Sequence, residues 1–146
     1  MRAWLATVVV ASLAIAACTS TTASADLKTG DCINLVSTVD ANGDNVQGNS
    51  VVDCTQPHDK EVFSVFDYPN AGSAFPGYEQ IGSVQQGQCQ SDFEEYVGVT
   101  WEQSSFTISY ASPDESSWAS GDRAIHCLLG DASGGKLTGS AQGSER

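Results

Sequence analysis

Runs of hydrophobic residues separated by turn signals predict five β-strands along the chain. They cover residues 30–36, 51–54, 60–68, 105–111 and 123–130. In the fourth run, apolar and polar residues alternate, which is the pattern of a strand with one buried face. The third run carries apolar side chains on both faces, so we place that strand at the centre of the sheet.

The polar stretch over residues 40–50, between the first two strands, predicts a hairpin loop. It contains an Asn-Gly dipeptide, which is a strong hairpin signal. Two of its aspartates and Asn42 also match the first ligand positions of a calcium-binding loop. However, Asn45 stands where that loop requires glycine and Val51 where it requires a bidentate glutamate, so we interpret the stretch as a hairpin.

An amphipathic pattern between Ser83 and Gly98 predicts a helix. Ser83 and Gln86 form a capping-box pair at its start, and Gly98 is placed to end it. The apolar positions recur at i, i+4, i+7 and i+8 and therefore share one face. They are Cys89, Phe93, Tyr96 and Val97.

A second, short helix is predicted around Trp118. Ser112 is suited to the N-cap, Pro113 to the first helical position and Glu115 to the capping box, and Gly121 would end the helix. The strands and helices together predict an α+β domain with a mainly antiparallel sheet, one longer helix and one short helix.

The first seventeen residues have the pattern of a secretory signal peptide. One basic residue precedes an apolar run, which is shorter than the roughly 20 residues that a membrane-spanning helix needs. The run ends in Ile15-Ala16-Ala17-Cys18, which resembles the lipobox of bacterial lipoproteins. We therefore predict a signal peptide over residues 1–17, lipidation of Cys18 and a lipid-anchored tether over residues 18–29.

A second processing site stays open. Ala23-Ser24-Ala25 matches the motif of the ordinary signal peptidase, and cleavage after Ala25 would release a secreted protein without the lipid. We favour the lipoprotein, because a lone cysteine that closes an apolar leader otherwise has no purpose. In that form the protein is extracytoplasmic and is held at the cell membrane by the lipid on Cys18.

Four further cysteines predict two disulfides, since an even number in an exported chain is typical of a disulfide framework. They are Cys32, Cys54, Cys89 and Cys127. Three pairings are possible, and we prefer the one that joins sequence neighbours, Cys32–Cys54 and Cys89–Cys127. The cysteines and histidines lack the C-x-x-C or C-x-x-H spacing of zinc sites, so we predict no metal site and no cofactor.

The charge of the chain narrows the classes of partner. Eighteen acidic residues against six basic ones give a net charge of -12. Nucleic acid and anionic membrane surfaces need clustered Lys and Arg, so we exclude nucleic acid as a partner and expect membrane contact only through the lipid.

The stretch CTQPHDKEVF, residues 54–63, holds one of the two histidines beside two acids. A catalytic or metal site would have to combine His58 with Asp59, Glu61 or the distant His126. Because neighbouring residues of a strand point to opposite faces, we interpret the stretch as a turn set by its proline, with His58 and Asp59 on the outside. The candidate partner-binding residues are His58, Asp59, Glu61 and Arg123.

Arg123 and Trp118 are expected to serve the scaffold. An isolated arginine in an acidic domain usually finds an internal partner, and we expect an ion pair with the carboxylate of Asp122, Glu61 or Asp59. Trp118 is interpreted as a core residue rather than as a platform for a sugar.

No signature of catalysis accompanies these residues. The sequence holds no G-x-S-x-G elbow, and neither histidine has a nucleophile at motif spacing. Two carboxylates could still converge in space for glycoside cleavage, so a cell-wall-modifying enzyme stays open as an alternative. We predict that the protein is not an enzyme and has no catalytic residues.

Several motifs taken together resemble the septum-formation domain, a family of exported lipoproteins and membrane-anchored proteins of actinobacteria. They are GDC at 30–32, VDCTQPHDKEV at 52–62, Cys89 with Phe93 and Tyr96, WASGDRAIHCLL at 118–129 and GKLTGS at 135–140. The resemblance covers residues 30–140 and leaves 141–146 as a flexible tail. It implies an envelope protein associated with septum formation and carries no known catalytic residues.

The function expected from this resemblance is non-catalytic binding of envelope or division proteins. Peptidoglycan is the second candidate partner. A structural or small-ligand-binding lipoprotein with no role in division is the other alternative to the enzyme.

Overall fold

The computed structural model describes residues 26–40 and 42–146. The predicted signal peptide, Cys18 and most of the tether lie outside the described residues. Five strands and two helices follow in the order β1 (Cys32–Val39), β2 (Asn45–Val52), β3 (Lys60–Asp67), α1 (Tyr78–Val97), β4 (Phe106–Ala111), α2 (Glu115–Ala119) and β5 (Ala124–Asp131). A short 3-10 turn, Trp101–Gln103, lies between α1 and β4.

All five strands form one antiparallel sheet in the order β2-β1-β3-β5-β4. The apolar strands β3 and β5 occupy its interior, so the predicted central position of β3 is confirmed. A bulge between Val62 and Ser64 interrupts the pairing of β3 with β5. It leaves Phe63 and Ser64 on the same side of the sheet as α1, and the Ser64 hydroxyl bonds to Asp92 of that helix.

Helix α1 covers one face of the sheet and forms the main core with it. The predicted stripe is confirmed, since Cys89, Phe93, Tyr96 and Val97 are all buried. The ring of Phe93 meets Phe63 of β3 edge to face, with 5.5 Å between ring centroids. The disulfide Cys89–Cys127 joins α1 to β5 with 5.7 Å between Cα atoms, so this predicted pairing is also confirmed.

The helix starts earlier than the capping-box pair indicated. Gly77 is the N-cap, with φ of 95° that favours glycine, and the first turn buries Ile81 against Trp118 and Ile125. Ser83 lies inside the helix, where its hydroxyl donates to the carbonyl of Glu79. Burial of Ile81 extends the helix beyond the local signal. The predicted end is confirmed, because Gly98 closes α1 in the left-handed region.

Helix α2 is also capped two residues later than predicted. Asp114, rather than Ser112, is the N-cap, and it exchanges hydrogen bonds with Ser117 in a capping box. Aspartate and serine are similarly good N-caps, so the choice between them depends on tertiary packing. Here Trp118 is 2% exposed and fixes the register of the helix. Its predicted place in the core is confirmed.

Strands β1 and β2 form a hairpin that projects from the body of the sheet. Strand β1 pairs with β3 only through Cys32 and Ile33, whereas its pairing with β2 runs over all eight residues. We call residues 34–50 the hairpin arm. Strand β2 begins at Asn45 rather than Val51, because a strand with no fully buried residue needs no apolar alternation.

The sheet face opposite α1 has a smaller cover. Leu27, Ile33, Val62 and Leu128 form a cluster there, and Leu27 is 3% exposed. Leu27, which lies within the predicted tether, is therefore packed onto the sheet. On this face His126 is also buried, at 2% exposure.

The end of the chain packs across the body, including part of residues 141–146, which we expected to form a flexible tail. We call residues 135–146 the C-terminal segment. Ala141 is buried, the amide of Gly143 donates to the Tyr96 carbonyl at 2.8 Å, and the amide of Glu145 donates to the Val97 carbonyl at 2.9 Å. These bonds satisfy carbonyls of the last turn of α1, which have no partner inside the helix.

Neither helix in the part of the chain that the structure describes has the length and apolar character to cross a membrane.

We predict that Phe93→Ala lowers the free energy of unfolding by about 3–5 kcal/mol, the usual cost of removing a buried aromatic ring. Phe93 is 0% exposed at the contact between α1 and β3. Urea denaturation followed by circular dichroism measures the change. The neighbouring exposed residue provides the control, since Glu94→Ala should change the value by no more than about 0.5 kcal/mol. Equal effects of the two substitutions would contradict this account of the core.

Candidate functional site

Glu61 is a carboxylate at the centre of the molecule, with 0% exposure. It lies on β3, on the face toward α1, and its oxygens accept three hydrogen bonds. Tyr96 of α1 donates to Oε1 at 2.7 Å, the hydroxyl of Ser140 donates to the same oxygen at 2.5 Å, and the amide of Ala141 donates to Oε2 at 2.7 Å. Three donors compensate the carboxylate for its burial. Burial raises the pKa of Tyr96, and its hydrogen bond to the Glu61 carboxylate raises it further.

The C-terminal segment is bound to the turn before β3 through its backbone. The amide of His58 donates to the Leu137 carbonyl at 3.0 Å, and the amide of Leu137 donates back to the His58 carbonyl at 2.9 Å. The amide of Gly139 donates to the Cys54 carbonyl at 2.7 Å. Two motifs that lie far apart in sequence, VDCTQPHDKEV and GKLTGS, thus form one continuous structure.

His58 lies inside this structure and not on the outside of the turn, where we placed it from sequence. It is 0% exposed because Leu137 pairs with its backbone and covers it. Its Nδ1 lies 2.8 Å from the Gln56 carbonyl, so this nitrogen carries the proton and donates it. Nε2 is buried and has no hydrogen-bond partner.

Asp59 connects the hairpin arm to the body. Its amide donates to the Ile33 carbonyl at 2.9 Å, and its carboxylate accepts from the amide of Leu35 at 2.9 Å. The carboxylate therefore supplies a hydrogen-bond acceptor to β1 just beyond the last residue pair that β1 forms with β3. It also forms an ion pair with Lys136 at 2.7 Å. Burial opposes the charge, but the bonds from Lys136 and Leu35 outweigh it and lower the pKa of Asp59.

Arg123 has internal partners, but they are carbonyl oxygens and a ring rather than a carboxylate. The guanidinium lies 3.8 Å from the centre of the Trp118 ring and donates to the carbonyls of Trp118, Asp122 and Gly72 at 2.7, 2.6 and 3.2 Å. The ion pair that we expected with Asp122, Glu61 or Asp59 does not form. The reason is that carbonyl oxygens at and just beyond the end of α2, together with the ring of Trp118, lie within reach of the cation.

The two histidines do not combine into one site. His126 points to the sheet face that Leu27 covers, opposite α1, whereas His58 adjoins Glu61 on the other side. Burial lowers the pKa of His126, and a hydrogen bond with the Leu27 backbone and the charge of Asp122 offset this only in part. Within the described residues, one group of three possible metal ligands occurs: Cys32, His58 and Glu61.

A cleft of about 380 Å³ opens beside the Glu61 centre. Its lining includes Asp92, Glu95 and Tyr96 of α1. Phe63 and Ser64 of β3 also line it, together with Thr29 and Gln142. The described lining contains no histidine, cysteine or basic residue, and its Ser64 hydroxyl donates to the Asp92 carboxylate at 2.5 Å. Its carboxylates and hydroxyls suit a cationic or hydrogen-bonding group of a ligand.

Sequence reasoning missed the partners of the motif acids. The sequence places Tyr96 in the apolar stripe of the helix and gives no partner for its hydroxyl. The C-terminal motif GKLTGS indicates the family but not the residues that it contacts. A usable signal was present, since Lys136 is one of six basic residues in the chain and its motif carries Ser140 four positions later. Which acids they would meet could not be inferred, because the partners lie far apart in sequence: Ser140 lies 79 positions after Glu61, and the ion pair of Lys136 is with Asp59.

We predict that Tyr96→Phe lowers the free energy of unfolding by about 1.5–3 kcal/mol, the usual value for a hydrogen bond to a charged group. The phenylalanine keeps the ring in the core and removes only the donor to Glu61. Urea denaturation at neutral pH measures the change. Tyr78 is 68% exposed, so Tyr78→Phe is the matched control and should be close to neutral. Equal stability of the two variants would show that Glu61 does not depend on this donor.

We predict that His126 makes the protein lose stability as the pH falls below about 6.5. Its pKa in the folded protein is lower than the ordinary value of 6.5, so the unfolded chain binds the proton more readily between the two values. The stability contribution is complete above that range and declines through it. Thermal midpoints of the wild type and His126→Gln between pH 7.5 and 5 measure the effect. A variant with the same pH slope as the wild type would refute it.

The comparisons with known proteins agree with the motifs. The model of the septum formation family matches residues 27–145 of the chain. No curated protein and no solved structure is matched by the chain. The matched range includes the whole sheet, both helices and almost all of the C-terminal segment, and it extends beyond the 30–140 expected from the motifs. The chain therefore belongs to the septum formation family.

Proposed function

We infer that this protein is a non-catalytic domain that binds envelope or division proteins during septum formation. Its association with septum formation follows from the family. The observation that carries the binding function is that the polar residues of the family motif are occupied inside the fold. Glu61 and His58 are enclosed, Asp59 holds β1, and Arg123 holds the end of α2.

A catalytic role would require these groups to reach a substrate. Both oxygens of Glu61 already accept hydrogen bonds, and the ring of His58 lies beneath the C-terminal segment. General acid–base catalysis needs a group within hydrogen-bond reach of the substrate proton. The buried centre supports the scaffold of a binding domain better than it supports an active site.

The hairpin arm is the surface that we propose for the partner. Leu35 is 52% exposed and Val39 65% exposed, and both lie on the same face of the arm. Strand β2 forms the outer edge of the sheet, so a strand of another protein could add to it. In this proposal the candidate partner-binding residues lie at different distances from the surface that contacts the partner. Asp59 lies at the base of the arm, while His58 and Glu61 support it from below.

Peptidoglycan is the second candidate partner, and the acidic cleft beside Glu61 favours it. The peptides of the cell wall carry free amino groups, and Asp92 and Glu95 offer carboxylates to such a cation. Asp92 already accepts bonds from Ser64 at 2.5 Å and Gln88 at 2.7 Å, so its position is fixed before a ligand arrives.

The proposed lipid on Cys18 would keep the domain close to the membrane. Leu27 is packed on the sheet and lies nine positions after Cys18, with eight residues between them. A fully extended chain of that length reaches about 30 Å at most. Leu27, where the tether joins the domain, would then lie within this distance of the membrane. Radioactive fatty acid should label the wild type and not Cys18→Ala. A protein found only in the medium, cut after Ala25, would refute the anchor.

We predict that a deletion strain forms septa with abnormal spacing or timing and that the double variant Leu35→Asp/Val39→Asp does not restore them. Both substitutions place charge on the exposed arm without disturbing the core. Microscopy of the septa and crosslinking of the arm to its partner measure the outcome. Thr107→Asp, on the opposite edge strand, is the control and should restore normal division.

The outcomes separate the competing functions. Normal septa in the deletion strain, with no second copy of the gene, would favour a lipoprotein unrelated to division. Full rescue by the arm variant would move the partner surface elsewhere. Release of soluble fragments from purified peptidoglycan by the wild type would establish a cell-wall enzyme instead.

A further inference from the structure

We propose that Cys32, Cys54, His58 and Glu61 form a zinc-binding site when the Cys32–Cys54 disulfide is reduced. This site is separate from the partner surface, and it would give the domain a second, metal-bound state. The inference starts from the geometry of three side chains that come from different parts of the chain.

The possible ligand atoms are already close together. The Cys32 sulfur, a ring nitrogen of His58 and a carboxylate oxygen of Glu61 all lie within 4.8 Å of one another, and all three residues are buried. Cys32 and Glu61 are direct partners in the pairing of β1 with β3, so their side chains leave the sheet side by side. The amide of His58 is fixed to Leu137, which keeps the histidine beside them.

The histidine is prepared for a metal by its own hydrogen bonds. Its Nδ1 proton is donated to the Gln56 carbonyl at 2.8 Å, which leaves the lone pair on Nε2. A backbone carbonyl plays this role for many metal-binding histidines, because it fixes the tautomer and the ring. Nε2 is buried without a hydrogen-bond partner. An unsatisfied buried acceptor is costly, and a metal ion would satisfy it.

Glu61 and Cys54 complete the set. The Oε2 atom of Glu61 accepts one hydrogen bond, from Ala141, so it keeps a free lone pair, while Tyr96 and Ser140 hold the carboxylate through Oε1. Cys54 is the disulfide partner of Cys32, with 5.2 Å between their Cα atoms, so its sulfur is at the same place. Two sulfurs, one imidazole and one carboxylate are ligands that zinc accepts in tetrahedral sites.

The required movement is small. Zinc–ligand distances of about 2.0–2.3 Å place tetrahedral ligands roughly 3.3–3.8 Å apart, so the three side chains would close by about 1 Å. Cys54 belongs to a turn, and His58 needs only a movement of its side chain while its backbone stays paired with Leu137, so the sheet is not broken.

The redox step decides which state exists. A dithiol reductant transfers two electrons and two protons to the disulfide, which gives two thiols and leaves the reductant as a disulfide. Zn²⁺ then binds the two sulfurs as thiolates and releases their protons to water. Oxidation removes both thiolates, and the two remaining ligands do not hold the ion. The site therefore cannot hold zinc while the Cys32–Cys54 disulfide is formed.

The second disulfide provides a control within the same molecule. Cys89 and Cys127 are also fully buried, but they lie in the apolar core with Phe63 and Phe93. Among the residues that the structure describes, no histidine or acid groups with them in a possible metal site. Thiols at that position should not retain zinc.

The experiment measures zinc and cobalt binding by the exported protein before and after reduction. A trialkylphosphine is the laboratory reductant, because it binds zinc weakly and becomes a phosphine oxide with the oxygen of one water. After gel filtration, the reduced protein should retain one zinc per chain and the oxidised protein none. Cobalt in the reduced protein should give the thiolate-to-cobalt charge-transfer band in the near ultraviolet.

Variants distinguish the site from loose binding by thiols. Cys89→Ala/Cys127→Ala should still retain one zinc after reduction, whereas Cys32→Ser/Cys54→Ser should retain none. His58→Gln and Glu61→Gln should weaken zinc binding on the order of tenfold or more. Equal affinity of these variants and the wild type would overturn the proposal. So would a reduced wild type that is folded by circular dichroism yet retains no zinc, or one that unfolds and is not refolded by zinc.

Discussion

The structure depends on one constraint: a carboxylate buried at the centre of the domain must have its hydrogen bonds. Glu61 obtains them from α1 and from the end of the chain, so β3, the helix and the C-terminal segment have to meet at one point. An ionised carboxylate without donors would not be tolerated at that depth. The same point fixes the turn over it, because Leu137 pairs with His58 in backbone hydrogen bonds. Polar residues that look like a site in the sequence are therefore the connections of the scaffold.

Features set by local periodicity could be predicted from the sequence. The apolar stripe of α1, the alternation in β5 and the central place of β3 follow from spacing alone, and the disulfides follow from an even count together with sequence proximity. Helix starts could not be predicted in the same way. Several good capping residues compete there, and burial of Ile81 and Trp118 decides between them.

The partners of the motif residues were beyond the sequence for a different reason. His58 and Glu61 lie near polar neighbours in the chain, and local reasoning assigns such residues to the surface. Their real partners come from residues 96 and 137–141, and only the assembled fold brings these together. The hairpin arm shows the opposite case. Its polar β2 strand carries little hydrophobic signal because none of its residues is fully buried, and its length becomes visible only through the pairing with β1.

The contacts of the C-terminal segment also determine the order in which the chain can fold. A chain emerges from the ribosome N-terminus first, and Cys32 and Cys54 are only 22 residues apart. They can meet while Ser140 and Ala141 are still unsynthesised. Glu61 has no donors from the C-terminal segment until nearly the last residue is available, so its hydrogen bonds are completed only when the end of the chain is present. The domain therefore completes its fold only as a whole chain. A chain that stops before residue 140 would leave Glu61 without two of its three donors and would display the uncovered edge of α1 to the quality-control proteases of the cell.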